Sequence, residues 1–298
     1  MADGDDSLER EPPRNSDLQA GIPDRQTIET TLDRLVADNR FTIAVVFPAI
    51  GAVTLVSSAE GWLPDPLAFN PLLVLFGVFV MRLPIISGLL PLLDRRAVAA
   101  LFVLLVYTYG IEYVGATTGV PYGEFSYEVS LGPMLLGTIP WALPLFFVPL
   151  VVNSYLLCLL LLGDRARSVA VRVPVIAATV VAVDLVLDPA AVALGFWAFE
   201  QGGYYGVPLS NYAGWVLSAT VATLLVDVAF RRTDLLDRVT NCSYILDDMV
   251  SFVLLWGAIN AFYGAWIPVG IALAFAAALV RLDRFDFDVR PSRPAVLR

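Results

Sequence analysis

The chain carries a series of apolar runs long enough to cross a bilayer, and these set its fold class before any motif is read. Stretches of about 18 or more predominantly apolar residues read as membrane helices. They fall at 41–59, 70–93, 97–117, 139–162, 169–188 and 212–230, and a further run covers 249–280. As one straight helix the last run would rise roughly 48 Å, against a hydrocarbon core of about 30 Å. It is therefore one tilted helix or a hairpin turning near Tyr263-Gly264-Ala265.

Arginine placement arbitrates between the two. Arg34/Arg40, Arg95/Arg96, Arg165/Arg167/Arg172 and Arg231/Arg232/Arg238 alternate with the arginine-free loops 60–69, 118–138 and 189–211. This is the positive-inside pattern with a cytoplasmic N-terminus. The tail carries Arg281, Arg284, Arg290, Arg293 and Arg298, which places it inside as well and requires an even number of spans. The expectation is an all-α polytopic bundle in the cell membrane with eight helices, seven being the alternative. Residues 1–40 read as an acidic, polar segment without a signal-peptide core, with 1–25 expected to be disordered; Gln26 to Arg40 has helical apolar spacing suited to an interfacial helix. Residues 41–280 form the membrane domain and 281–298 a cytoplasmic tail.

The absences narrow the chemistry. All 19 basic residues are arginine, and acids number 28, for a net charge of −9. An acidic chain without lysine suits a high-salt cytoplasm. Without lysine there is no Schiff base to retinal. Without histidine there is no histidine-ligated haem, no histidine metal site and no Ser-His-Asp triad. Cys158 and Cys242 look like neither a disulfide nor a metal site. No cofactor or metal is expected.

Two blocks hold the remaining polar chemistry. The first is E-Y-V-G-A-T-T-G-V-P-Y-G-E-F-S-Y, Glu112 to Tyr127. The second begins D-L-V-L-D-P at Asp184, continues through G-F-W-A-F-E, and ends G-G-Y-Y-G-V-P-L-S-N-Y-A-G-W at Trp215. Acids inside spans are costly and mark candidate sites. Asp184 and Asp188, spaced i,i+4, share a helix face. With exits near Thr117 and Pro189, Glu112 and Asp184 come to one depth, beneath two loops too aromatic to be ordinary solvated connections. Those loops are expected to fold over the bundle mouth, with Tyr113, Tyr122, Phe125, Tyr127, Trp197, Tyr204, Tyr205, Asn211 and Trp215 as candidate substrate contacts. Against this, membrane aromatics are commonly interface-belt residues. Arg82 is read as an electrostatic partner able to neutralise one membrane acid. Asp188 has a competing role as a cap before Pro189. Asp227 is assigned to a surface pair with Arg231, Asp247-Asp248 to a solvated helix start, and Asn153 and Asn260 to interhelical hydrogen bonds.

These blocks resemble the membrane carotenoid hydratases of the CruF type, a carotenoid biosynthesis family. The matching elements are E-Y-x-G-x-x-T-G-x-P-Y-G-x-F-x-Y, D-x-x-x-D-P and G-x-Y-Y-G-V-P-x-x-N-Y-x-G-W. Phe199 stands where a second Trp is common in that family. The resemblance implies addition of water to the terminal isopentenyl double bonds of a C50 carotenoid. Its partners would be that lipophilic substrate, membrane lipids and neighbouring pathway enzymes, with no nucleic acid. The residues permit this chemistry independently. Alkene hydration needs a proton donor, which a carboxyl in an apolar pocket supplies, aromatic faces for a developing cation, and a second carboxylate for water. Three rivals remain at this level. A prenyltransferase would use D-x-x-x-D but lacks outer basic residues for pyrophosphate. A carotenoid cyclase shares the protonation step. A proton-coupled transporter would use Glu112, Asp184 and Arg82 as a relay, without an inverted repeat to support it.

Overall fold

The computed structural model describes residues 24–287. The expected disorder before residue 24 and the tail arginines Arg290, Arg293 and Arg298 lie outside the described residues. The interfacial helix is α1 (Arg25–Asp38), opened by Asp24, whose side chain accepts from the Thr27 N–H at 2.9 Å. It rests on α3. Asp33 anchors it through the Ser87 hydroxyl at 2.7 Å, Arg238 at 3.2 Å and the Tyr244 hydroxyl.

The apolar runs form helices whose ends are written in the sequence. A π-helical turn, Thr42–Val46, leads into α2 (Phe47–Ala59), where Pro48 removes one backbone donor. Asn70 caps α3 (Pro71–Leu89), with Pro71 in the first turn. Asp94 caps α4 (Arg95–Thr118), which stops at Gly119 in the left-handed conformation, φ 72°. Then come α5 (Pro144–Leu162), α6 (Val169–Ala193), α7 (Leu209–Phe230), the short α8 (Leu235–Asn241), α9 (Asp247–Phe262) and α10 (Trp266–Arg281).

Among the described residues, six helices are long and apolar enough to cross a membrane. The run 249–280 is a hairpin, α9 and α10, broken at Tyr263–Ala265, where Gly264 has φ 70°. Each arm has 16 residues. That is roughly 24 Å at about 1.5 Å per residue, short of a full core. Two other span boundaries shift. The span expected from 139 starts as a helix only at Pro144, because Ile139–Pro140 forms a strand with Met134–Leu135. The span expected to end at Asp188 runs through Pro189 to Ala193.

Helix α9 is the buried axis of the bundle, touching α2, α3, α6 and α10. Its first residues correct an expectation: Asp247 and Asp248 are fully buried rather than solvated. Asp247 takes Arg40 at 2.8 Å, and Asp248 takes Arg82 and the Asn153 amide, the latter at 2.7 Å. A buried carboxylate persists where such partners replace its water. Asp227 is likewise paired differently, with Arg172 and the Tyr155 hydroxyl instead of Arg231. Asn153 and Asn260 do make interhelical hydrogen bonds; Asn260 donates to the Val186 carbonyl at 2.7 Å.

The two aromatic loops close over one end of the bundle as a single layer. Strand β1 (Phe125–Tyr127) pairs antiparallel with β4 (Trp197–Phe199), in the register Phe125↔Phe199 and Tyr127↔Trp197. The small hairpin β2 (Met134–Leu135) and β3 (Ile139–Pro140) lies beside it in sequence.

Candidate active site

Under the β1–β4 layer lies a cavity of about 470 Å³ whose wall is mostly apolar. Its size falls within the roughly 300–1,000 Å³ of small-molecule sites. Its acids and Asn211 converge from α4, α6 and α7, and local sequence explains how each is held.

Glu112 sits on α4, roughly 9 Å from the helix end at about 1.5 Å per residue. Its carboxylate accepts a hydrogen bond from the Tyr127 hydroxyl of β1. Burial, and then the Glu112 carboxylate beside it, hold the Tyr127 phenol well above its usual range, so this hydroxyl stays a donor. Asp184 and Asp188 project from one face of α6. The side-chain amide of Asn211, in the first turn of α7, donates to both, at 3.1 Å to Asp184 Oδ2. Oδ1 of Asp184 is buried and has no protein partner among the described residues. Because α6 continues to Ala193, it is Asp188, roughly 7 Å from the helix end at 1.5 Å per residue, that matches the depth of Glu112. Asp184 lies one turn deeper. The competing reading of Asp188 as a solvent-facing cap is overturned: it is in the helix interior and only 5% exposed.

The glycines of both sequence blocks have a joint purpose. Tyr122 is buried between α4 and α7. A Cβ on Gly115 would come within 2.7 Å of its ring, and one on Gly214 within 2.6 Å. Only glycine leaves that slot open. The Tyr122 hydroxyl then bonds Ser218 at 2.7 Å. The first loop is thereby pinned between two helices, which fixes β1, and with it Tyr127, over Glu112.

Of the expected contacts, Tyr122, Phe125, Tyr127, Trp197, Asn211 and Trp215 line the cavity with the acids. Tyr113, Tyr204 and Tyr205 do not. Tyr113 points outward from α4, 37% exposed, one position from Glu112 on a different helix face. Tyr204 packs edge-on against Tyr205 and Tyr212, where the pair braces the loop before α7. Arg82 is also elsewhere: its partners are Asp248 and the Leu145 carbonyl at 3.0 Å, so it neutralises none of the cavity acids.

Sequence reasoning missed the opposite wall. Phe147 stacks on Trp215 with centroids 5.0 Å apart, and Phe69 meets Phe196 edge-on at 5.5 Å. Trp256 of α9 and residues of α2 and α3 complete the lining. Phe147 and Trp256 sit in apolar spans, where nothing in the sequence signals that a residue faces a cavity; Phe69 and Phe196 sit in loops. Phe199, the departure noted above, lines the cavity and packs on Phe125 at 5.7 Å.

The arrangement offers three carboxyl groups on one side of an aromatic chamber, each held by a donor that fixes its direction. It suits proton transfer to an apolar molecule and stabilisation of positive charge by ring faces.

The carotenoid biosynthesis protein family matches residues 69–279, which contain Glu112, Asp184, Asp188 and both aromatic motif blocks. A bisanhydrobacterioruberin hydratase of Haloarcula japonica is 60% identical over 273 residues, covering 91% of this chain and 93% of its own. No solved structure matches. With the family matched across most of its membrane helices and a relative aligned almost end to end, this chain belongs to the carotenoid biosynthesis protein family.

Proposed function

We propose that this protein is a carotenoid hydratase that adds water to the terminal isopentenyl double bonds of a C50 carotenoid; its Haloarcula relative is named a bisanhydrobacterioruberin hydratase. The observation that carries the reading is the convergence of Glu112, Asp184 and Asp188 in a mostly apolar, aromatic cavity. A carboxyl group donates its proton to the less substituted alkene carbon. The π pair forms the new C–H bond and leaves a tertiary cation. Trp197, Phe125 and Trp215 present ring faces to that charge. Water forms the C–O bond, and its surplus proton passes to a neighbouring carboxylate, so the sum is one water added per double bond. Asn211 keeps the α6 pair aimed inward, and Tyr127 does the same for Glu112.

The same reading places the chain in the cell membrane with eight crossings and both termini cytoplasmic. Supporting it are the alternation of arginine-rich and arginine-free connections and the α9–α10 hairpin, which returns the chain to its starting side.

The test is expression of the full chain in a host that makes a C50 carotenoid with unhydrated isopentenyl ends. The expected products are heavier by one and by two waters. Cyclised products of unchanged mass, or no change at all, overturn the reading.

A further inference from the structure

The cavity is closed at the acids and open at the other side. Its exposed lining residues are Ile50 and Thr54 of α2, Leu67 of the following loop, and Leu73 and Phe76 of α3. No exposed lining residue comes from α4, α5, α6, α7 or α9. Ile50 is 57% exposed and Phe76 60%, on helices apolar enough to face lipid. At the edge of this opening the rings of Phe47 and Phe76 meet across the two helices, 6.2 Å apart. Gly77 follows Phe76 in the lining, and a Cβ there would meet no atom within 4 Å. Gly77 lies roughly 9 Å from the start of α3 at about 1.5 Å per residue, well inside a hydrocarbon layer of about 30 Å.

We propose that the gap between α2 and α3 is a lateral, lipid-facing portal through which one end of a long polyene enters, the rest of the chain staying between the helices and in the bilayer. The proposal rests on the hydratase reading and extends it. Three features carry it. The mouth is apolar and faces the phase in which such a substrate dissolves. The cavity is of a size for one end of a C50 chain rather than the whole. The wall opposite the mouth is closed by α4, α6 and α7, so the chain cannot be threaded through. Each visit therefore hydrates one end; the half-hydrated carotenoid must leave, reverse and re-enter. Gly77 keeps the passage wide, since any side chain there projects into open space rather than into protein.

The experiment uses the full-length protein in lipid vesicles carrying Gly77→Cys, modified with a maleimide only after folding. Cys158 and Cys242 are buried, which protects them from the reagent. Two probes are supplied: a C50 carotenoid with two isopentenyl ends, and a short acyclic monoterpene hydrocarbon with one. The expected result is that modification lowers kcat/KM for the long substrate by about tenfold or more while changing that for the short one by about threefold or less. In the unmodified protein, the mono-hydrated carotenoid should appear free in the vesicles before the di-hydrated one. Unchanged turnover of the long substrate after complete modification overturns the portal, as does an equal loss for both probes, which would place the label against the acids. Unmodified protein that hydrates neither probe overturns the hydratase reading and the portal with it.

Discussion

At the scale of single residues, the acids divide into those with a cationic partner and those without. Asp227, Asp247 and Asp248 each meet an arginine. Among the described residues, Glu112, Asp184 and Asp188 have no arginine partner; their hydrogen-bond donors are Tyr127 and Asn211. An acid neutralised by arginine is part of the framework, whereas one held by neutral donors can exchange a proton. Glu112→Gln and Asp184→Asn keep shape and polarity but cannot donate a carboxylic proton. Each should lower hydration by roughly 10²–10⁴ while accumulating in the membrane normally. Quantifying hydrated carotenoid per unit of protein checks this, with the exposed Asp164→Asn as the unaffected control; near-normal activity in both variants removes the acids from the mechanism. Arg82→Leu belongs to the other class. It leaves Asp248 buried without its charge partner, at a cost of roughly 3–5 kcal/mol, so the expected loss is of folded protein. Adding Asp248→Asn should recover part of it, measured as thermal stability in detergent. A stable but inactive Arg82→Leu would instead assign Arg82 a part in the reaction. Arg82 was legible as needing an anion; which anion was not, because its partner lies 166 positions away in sequence.

At the scale of elements, the decisive feature is the zip between the two aromatic loops. Each loop was recognisable from its glycines, prolines and rings, and a covering role was expected. Their pairing was not expected, because strands of three residues carry no periodic signal. The register can be tested chemically. Ser126 and Ala198 are directly opposite and both exposed. Antiparallel neighbours lie about 4.5–5.5 Å apart at Cα, inside the window for a disulfide. Ser126→Cys with Ala198→Cys should therefore oxidise to an intramolecular bridge, seen as a mobility shift reversed by reductant. If substrate comes through α2 and α3, the bridged protein should also retain its activity. Failure to form the bridge would contradict the register. A second element-scale effect concerns Tyr122. Gly214→Ala forces its ring out of the slot between α4 and α7, so both the lid position and the thermal stability should suffer, whereas Gly110→Ala, with open space around it, should be neutral.

At the scale of the whole molecule, orientation in the membrane is the open test. Reporter fusions after Arg298 and within the 118–138 loop are expected to report cytoplasmic and external locations respectively. The opposite result at Arg298 would reduce the crossings to an odd number. The sequence by itself determined that this is a helical membrane protein and, through its two motif blocks, which family it resembles. It also located the acids and five of the rings that line the cavity, Tyr122, Phe125, Tyr127, Trp197 and Trp215. Those conclusions depend on composition and on residues close together in the chain. Only the tertiary structure decided that Asp248 rather than a cavity acid takes Arg82, that Asn211 bridges Asp184 and Asp188, and that α2 and α3 supply the open side of the cavity. Spans apolar on every face give no periodic cue to which side turns inward. In a bilayer the helix contacts are selected by close packing and interhelical hydrogen bonds, which exist only once the helices have been rotated against one another.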